Sequence, residues 1–371
     1  MKKDLKIFDF HCHVMETSSL YREGFYEKLS LDNARQVAAF LDDEGAEKLA
    51  IPSVTLFNSL DLPSNPLTLF AKTLAPEKIF ALAGLRRTLD REGNLGMADQ
   101  ARLLLAAGFD GFKMICKPNV RRKFRFAIND PLFDEFFAEA EKNSWPILFH
   151  VGDPITFWNR NEVSDWIVEQ GWYYGDDKLP SLKQLYDEVF DVLKRYPRLC
   201  VTFAHFFFMA DHLDKVRELF SAYPNVRFDV TPGGEMYASF SRQREESRAL
   251  FTDCAGRFLF GTDNAGRSEN RAERLRGGFN HIKTIRRFFE TGDAFEGFGF
   301  PLRGLDLDEG PLKELYSGAF TRVLGEKPAP VNREAAAFLC REYRRFVKED
   351  GPHADETLRL LEELEHVFTD R

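Results

Sequence analysis

Cysteine is scarce in this 371-residue chain, and the five present (Cys12, Cys116, Cys200, Cys254 and Cys340) stand far apart with no CxxC pair. This argues against a disulfide framework or a cysteine-based zinc ribbon and makes the cytoplasm the expected compartment. Apolar runs are short, and none approaches the ~18–20 residues of a membrane-spanning helix. The opening residues MKKDLKIFDFHCHV interrupt any signal-peptide core with Asp4, Lys6 and Asp9. Positive charge is not in excess either, with 51 Lys and Arg against 59 Asp and Glu, a net −8. No global basic field therefore invites nucleic acid or anionic lipid. What abounds is phenylalanine, at 37 residues in a chain that is 44% hydrophobic and 30% charged. That is a globular mix with heavily packed interior layers.

Short apolar runs recur along the chain and predict strands near Ile7–His11, Lys48–Val54, Ile79–Leu85, Gly111–Ile115, Ile147–Val151, Leu199–His205, Val226–Val230 and Phe258–Gly261. They are apolar rather than alternating, as parallel strands covered on both faces should be. Amphipathic helical patterns lie between them. Ser30 is positioned to cap one carrying Ala34, Val37, Ala38 and Leu41, and Ser181 one carrying Leu185, Val189 and Leu193. Asp211 is expected to cap a third, with Leu213, Val216 and Phe220. Eight βα units in succession predict a closed (β/α)8, or TIM, barrel rather than an open doubly wound sheet. No GxGxxG follows the first strand, so the main signal of a dinucleotide-binding fold is lacking.

The longest spacing, between the fifth and sixth strands, holds the segment Asp153–Pro180 with Phe157, Trp158, Trp166, Trp172, Tyr173 and Tyr174. A loop after a barrel strand lies on the face where active sites are built, so a lid or substrate wall is expected there. A locally packed excursion is the alternative. Two further helical patterns, Asn332–Val347 and Ala354–Phe368, close the chain without a low-complexity linker. The expected organisation is a barrel domain over residues 1–330 and a C-terminal helical extension, 331–371, packed on it.

Four histidines fall at strand ends: His11 and His13 in DFHCHV, His150 in ILFH, and His205 in VTFAH. Side chains alternate along a strand, so His11 and His13 share a direction while Cys12 points away. Two imidazoles side by side make a bidentate metal seat. Asp263, in RFLFGTDNAG, follows the eighth strand, which neighbours the first in a closed barrel. Its carboxylate and three imidazoles supply the nitrogen and oxygen set of zinc or a similar divalent ion, with a position left for water. Asp9 shares the parity of His11 and is a candidate supporting partner. His212, His281, His353 and His366 read as packing or surface residues.

With these blocks in view, the chain resembles the metal-dependent amidohydrolase superfamily, in particular the amidohydrolase 2 group that includes aminocarboxymuconate-semialdehyde decarboxylase. The likeness runs from about residue 6 to about 325 and rests on DFHCHV, GFDGFK, DPLFDEFFAEAEKNSWPILFHVG, YPRLCVTFAHF, NVRFDVT, RFLFGTDNAG and ELYSGAFTRVLG. The resemblance implies metal ligation by His11, His13, His150 and Asp263, with His205 as the catalytic histidine near the activated water. Lys113 falls where binuclear relatives carry a carbamylated bridging lysine, so it implies two metal ions if modified and one if not. The chain departs from its relatives at Ile115 and Cys116, at Phe206–Phe208 where glycines are usual, at Asn264–Gly266, and at Gly318–Phe320. These positions surround the pocket, so no substrate carries over.

The expected activity is hydrolysis of a C–N or C–O bond (an amide, lactone or ester) in a small, carboxylated molecule. The catalytic residues would be His205, Asp263 and Lys113. Non-oxidative decarboxylation is the alternative, and a non-catalytic metal-binding barrel the third reading. The basic run Lys117, Arg121, Arg122, Lys123 and Arg125 follows the fourth strand and is a candidate attractor for an anionic substrate. No nucleic-acid or membrane partner is expected; a homo-oligomer is compatible with the sequence.

Overall fold

Strand pairing in the computed structural model, which describes residues 5–15, 29–43, 45–54, 62–86, 95–123, 126–175, 178–265, 281–347 and 353–370, is parallel throughout the main sheet. The first barrel strand comes in two pieces, β1 (Phe8–Asp9) and β2 (Cys12–His13). It is followed by β3 (Lys48–Pro52), β4 (Ile79–Gly84), β5 (Gly111–Cys116), β6 (Ile147–Val151), β7 (Val201–Phe203) and β8 (Val226–Asp229). The eighth strand is again split, into β9 (Phe258–Leu259) and β10 (Asn264–Ala265). The sheet order is β1-β3-β4-β5-β6-β7-β8-β9, and β10 closes the ring on β2 with Asn264 opposite Cys12 and Ala265 opposite His13. The fold is the expected TIM barrel. Every residue of β4 and β5 is buried, which is why these runs are continuously apolar.

Apolar packing separates into an inner layer and an outer one. Inside the barrel Phe8, Phe10, Ala50, Phe80, Leu82, Leu148, Ala204 and Leu259 meet Phe320 from the helix Ala319–Leu324. The Phe320 ring stands edge-on to Phe8, Phe10 and Phe80 at centroid distances of 5.3, 5.9 and 5.1 Å. It plugs the barrel below the site. The break between β1 and β2 also changes parity. Phe8 and Phe10 belong to the inner layer, whereas Cys12 joins the outer one with Ile7. Asp9 therefore does not share the direction of His11, as its parity had suggested. It bonds sideways to the eighth strand, accepting from the Thr262 hydroxyl at 2.5 Å and the Thr262 amide at 3.1 Å.

Ser30 caps Leu31–Ala38 and Ser181 caps Leu182–Arg195, each in a capping box with the residue three positions on. Asp211 does not cap its helix. Leu213–Ala222 begins after His212, one residue too late for Asp211, whose carboxylate instead accepts from Arg242 at 3.0 Å. A capping side chain must stand immediately before the first helical residue, and the arginine supplies a charge-assisted partner. Beyond the eighth strand lie a hairpin and a pair of terminal helices, among other helices. A hairpin of β11 (Ala294–Gly297) and β12 (Phe300–Arg303), turning through Phe298 and Gly299 with φ of 53° and 82°, packs on the helix Gly234–Arg242. The helices Arg333–Arg344 and Ala354–Thr369 pack on each other and against Ser64–Leu74 and Met97–Ala107. Among the described residues no helix is long and apolar enough to cross a membrane.

Away from the site, Lys72 forms a buried ion pair with Asp110 at 2.6 Å, and its ammonium also donates to the Gly108 carbonyl. Burial lowers the Lys72 pKa and raises that of Asp110, yet Asp110 also accepts from the amides of Ala81 and Ala329 and so ties the chain after the barrel to β4. Removing one charge of such a pair strands the other. Asp110→Asn should destabilise the fold by about 3–5 kcal/mol in urea melts. Lys72→Met, which leaves Asp110 its backbone donors, should cost less.

Candidate metal centre

The two histidines of β2 and its preceding residue meet the carboxylate that follows β9. His11 Nε2 and His13 Nε2 are 3.1 Å apart, and Asp263 Oδ1 lies 3.3 Å from His13 Nε2 and 3.7 Å from His11 Nε2. One ligand atom from each of the three residues falls within 4.8 Å of the other two. The position of Asp263 follows from barrel closure, since its amide donates to the His11 carbonyl at 2.7 Å. Its backbone is left-handed, with φ 56°, and the preceding Thr262 is held by Asp9 and by His281, whose Nδ1 donates to the Thr262 carbonyl at 2.7 Å.

The tautomers of both histidines can be read from their other nitrogens. His13 Nδ1 lies 2.8 Å from the carbonyl of Pro52, which can only accept, so Nδ1 carries the proton. His11 Nδ1 lies 2.9 Å from Asp229 Oδ2, a carboxylate that orients the ring in the same way. Both Nε2 lone pairs are thereby turned toward each other. Burial holds the His11 pKa well below the ordinary histidine value, and the nearby Lys113 ammonium adds to the effect. Burial works to raise the Asp263 carboxyl, yet its surroundings of His13, His11 and His205 hold it well below the usual carboxylate range. Two imidazole Nε2 atoms and a carboxylate oxygen converge on one point. Only a cation satisfies all three, and this donor set fits zinc or a similar divalent ion.

Lys113, on β5, brings its Nζ to 2.9 Å from His11 Nε2. Burial pushes its pKa down to about 8, although Asp263 and Asp229 attract its charge. His150, on β6, lines the same cavity with its ring 4.6 Å from that of His205. Its Nε2 is 3.1 Å from the Gly152 carbonyl and 3.7 Å from Asp153 Oδ1, so its lone pair resides on Nδ1. The sequence-derived ligands thus divide into a tight group of His11, His13 and Asp263, with His150 standing beside His205 in the same cavity.

His205 lies beyond the end of β7, in a left-handed turn. Residues His205, Phe206, Phe207 and Phe208 have φ of 53°, 54°, 54° and 52°. Such a turn costs roughly 1–2 kcal/mol per non-glycine residue. Here the cost is offset by packing. Phe206 meets Phe228, Phe240 and Phe258, while Phe207 stacks on Phe203 at 4.1 Å and accepts from the Tyr186 hydroxyl at its carbonyl. Asp229 Oδ1 takes the His205 amide at 2.7 Å, so one carboxylate orients His11 and anchors His205. His205 Nδ1 faces the Thr231 carbonyl at 3.3 Å, which makes Nε2 its basic nitrogen.

Phe157, Trp166 and Trp172 of the long insertion line the cavity, which encloses about 490 Å³. Phe157 and Trp172 stack with planes 9° apart, and Arg122 donates to the carbonyls of Gly171 and Tyr173. The aromatic segment is therefore a built wall; residues 176–177 lie outside the described residues. The basic run separates. Lys117 faces the cavity, 2.9 Å from Asp153 Oδ1 and 5.0 Å over the Trp172 ring, whereas Arg121 pairs with Glu188. Arg125, the Lys123 side chain and Gly266 lie outside the described residues. Sequence reasoning missed Asp229, Asp153 and Glu235. The signal for the first two was an acid at or just beyond a strand end, three residues after His150 in the case of Asp153.

A family model described as amidohydrolase matches residues 76–326. The match starts beyond His11 and His13, whose part rests on the geometry above. Among solved structures, 4-oxalomesaconate hydratase from Rhodopseudomonas palustris is similar in fold, at 14% identity and TM-score 0.51 over 91% of this chain and 99% of that one. IDCase from Metarhizium anisopliae in its apo form is similar at 11% identity and TM-score 0.54, over 87% and 98%. No curated protein matches the sequence.

The geometry generates a prediction for Asp229. Asp229→Asn keeps the shape but removes the carboxylate that orients His11 Nδ1. Metal affinity should fall about 10–100-fold, read by competition against a chromogenic chelator, with the melting curve remaining cooperative.

Proposed function

The chain belongs to the amidohydrolase family, and on that premise we propose that it is a metal-dependent hydrolase of a small, carboxylated amide, lactone or ester. The observation that carries this reading is the convergence of the His11 and His13 lone pairs and the Asp263 carboxylate within one cavity. His11, His13 and Asp263 would hold one divalent ion, zinc by the preference of the donor set, with His150 as the fourth protein ligand. A second ion is needed only if Lys113 is carbamylated. A divalent ion at this position would lower the pKa of a water molecule toward about 7 and polarise a carbonyl oxygen.

The chain's own groups divide the remaining work. Asp263, ionised and beside the reacting centre, accepts the proton of the attacking water. His205, through its Nε2, orients that water and relays the proton that Asp263 has taken on to the leaving group, which restores both residues. Lys113, whose pKa burial lowers to about 8, presents its side-chain nitrogen to the cavity and meets the substrate carboxylate. The wall of Phe157, Trp166 and Trp172 excludes bulk water from the charged centre. Residues 1–330 form the catalytic unit in this reading, and 331–371 buttress it.

Non-oxidative decarboxylation is the second reading, favoured by the same lysine. An ammonium of pKa about 8 inside the cavity is placed to deliver a proton to the carbon that loses carbon dioxide. A panel of lactones, amides and aromatic acids offered to zinc-loaded protein separates the two, through solvent oxygen in the product or released carbon dioxide. On whichever substrate turns over, His205→Asn should retain the metal and lower kcat about 10²–10⁴-fold. Loss of the metal in that variant would make His205 a ligand instead.

A further inference from the structure

Glu235 stands in the wall of the same cavity, on the first turn of the helix Gly234–Arg242. The other carboxylates around it have partners. Asp153 pairs with Lys117 at 2.9 Å and accepts from the Tyr174 hydroxyl at 2.6 Å, while Asp211 pairs with Arg242 at 3.0 Å. The Glu235 carboxylate has, among the described residues, only its own backbone N–H. Burial, aided by the charges of Asp153 and Asp211, raises its pKa above the ordinary carboxylate value.

The local sequence Pro232-Gly233-Gly234-Glu235 makes room for this acid. A Cβ at Gly233 would lie 2.6 Å from Glu235 Oε1, so the carboxylate occupies the space that a side chain there would fill. A Cβ at Gly234 would lie 2.6 Å from the Phe298 carbonyl oxygen and 2.8 Å from the Phe300 ring, so the helix start is pressed against the hairpin. The two glycines serve different contacts, and together they hold on the cavity wall an acid that has no counter-ion among the described residues.

We propose that Glu235 is a specificity-determining residue that receives a primary ammonium group of the substrate, in the cavity it shares with the His11–His13–Asp263 cluster. The proposal rests on the reading of that cluster as the metal centre. An ammonium group offers this carboxylate a charge-assisted bond and relieves a half-buried acid that has no counter-ion among the described residues. A second carboxylate at the same end would be repelled by Glu235 and Asp153. The aromatic faces of Phe157, Trp172 and Phe208 suit an apolar spacer between the two polar ends. The substrate class is accordingly a small bipolar molecule, with a carboxylate or carboxyl derivative at one end and a protonated amine at the other.

Two probes that differ only in the amino group test this, 4-(aminomethyl)benzoate and 4-methylbenzoate, titrated calorimetrically into zinc-loaded protein. The amine should bind about tenfold more tightly to the wild type, the scale of one charge-assisted contact. In Glu235→Gln the preference should vanish while 4-methylbenzoate binds as before. Gly233→Ala has an extended backbone that accepts alanine, with φ −107° and ψ 122°, and its methyl would displace the carboxylate; the preference should fall there too, with the charge retained. Equal affinity of the two probes for the wild type, or a preference that survives both variants, overturns the role of Glu235. So does a zinc-loaded protein that takes neither probe. A protein that binds no zinc overturns the metal-centre reading and this inference with it.

Discussion

Two imidazole lone pairs held 3.1 Å apart are the constraint on which the rest of this site depends. His11 and His13 cannot relieve it by exchanging tautomers, because each Nδ1 is already committed, one to Asp229 and the other to the Pro52 carbonyl. Adding the Asp263 carboxylate makes the point more negative still. Positive charge is the physical remedy, and the Lys113 ammonium at 2.9 Å from His11 Nε2 meets part of the demand. A buried arrangement of this kind is costly as a purely structural device. It becomes economical as a cation seat.

Asp229 connects that seat to His205. Its two oxygens divide between the His11 ring and the His205 amide, so the orientation of one histidine and the position of the other share one support. The left-handed turn that carries His205 is the most strained backbone near the cavity. Where glycines are usual in the resembled family, this chain packs phenylalanine rings of the outer layer around the turn. The abundance of phenylalanine is thus partly explained by the site: Phe203, Phe206, Phe207 and Phe228 hold a conformation that their own Cβ atoms disfavour.

The barrel was legible because its strands are covered on both faces, and continuous apolar runs such as Ile79–Gly84 announce that state. His11 and His13 were legible as a pair because alternation along one strand is a local property. The breaks at Phe10–His11 and Phe260–Asp263 were not, and they reversed the parity assigned to Asp9. Asp229 depends on a contact across 218 residues of sequence, which no local pattern reports. The turn at His205 was hidden for the opposite reason, since three phenylalanines give no sign of a positive φ. Glu235 carries no motif; its meaning comes from the company of Gly233, Gly234 and the hairpin, and from the partners its neighbouring acids already have.

A cation shared by His11, His13 and Asp263 would be visible in the crystal. Crystals grown from protein purified without chelator, with anomalous diffraction recorded on both sides of the zinc edge, test it most directly. One strong peak is expected about 2.0–2.2 Å from His11 Nε2, His13 Nε2 and an Asp263 oxygen. A cavity with no anomalous peak, and the Lys113 ammonium seated between the two imidazoles in a catalytically active crystal, would contradict it.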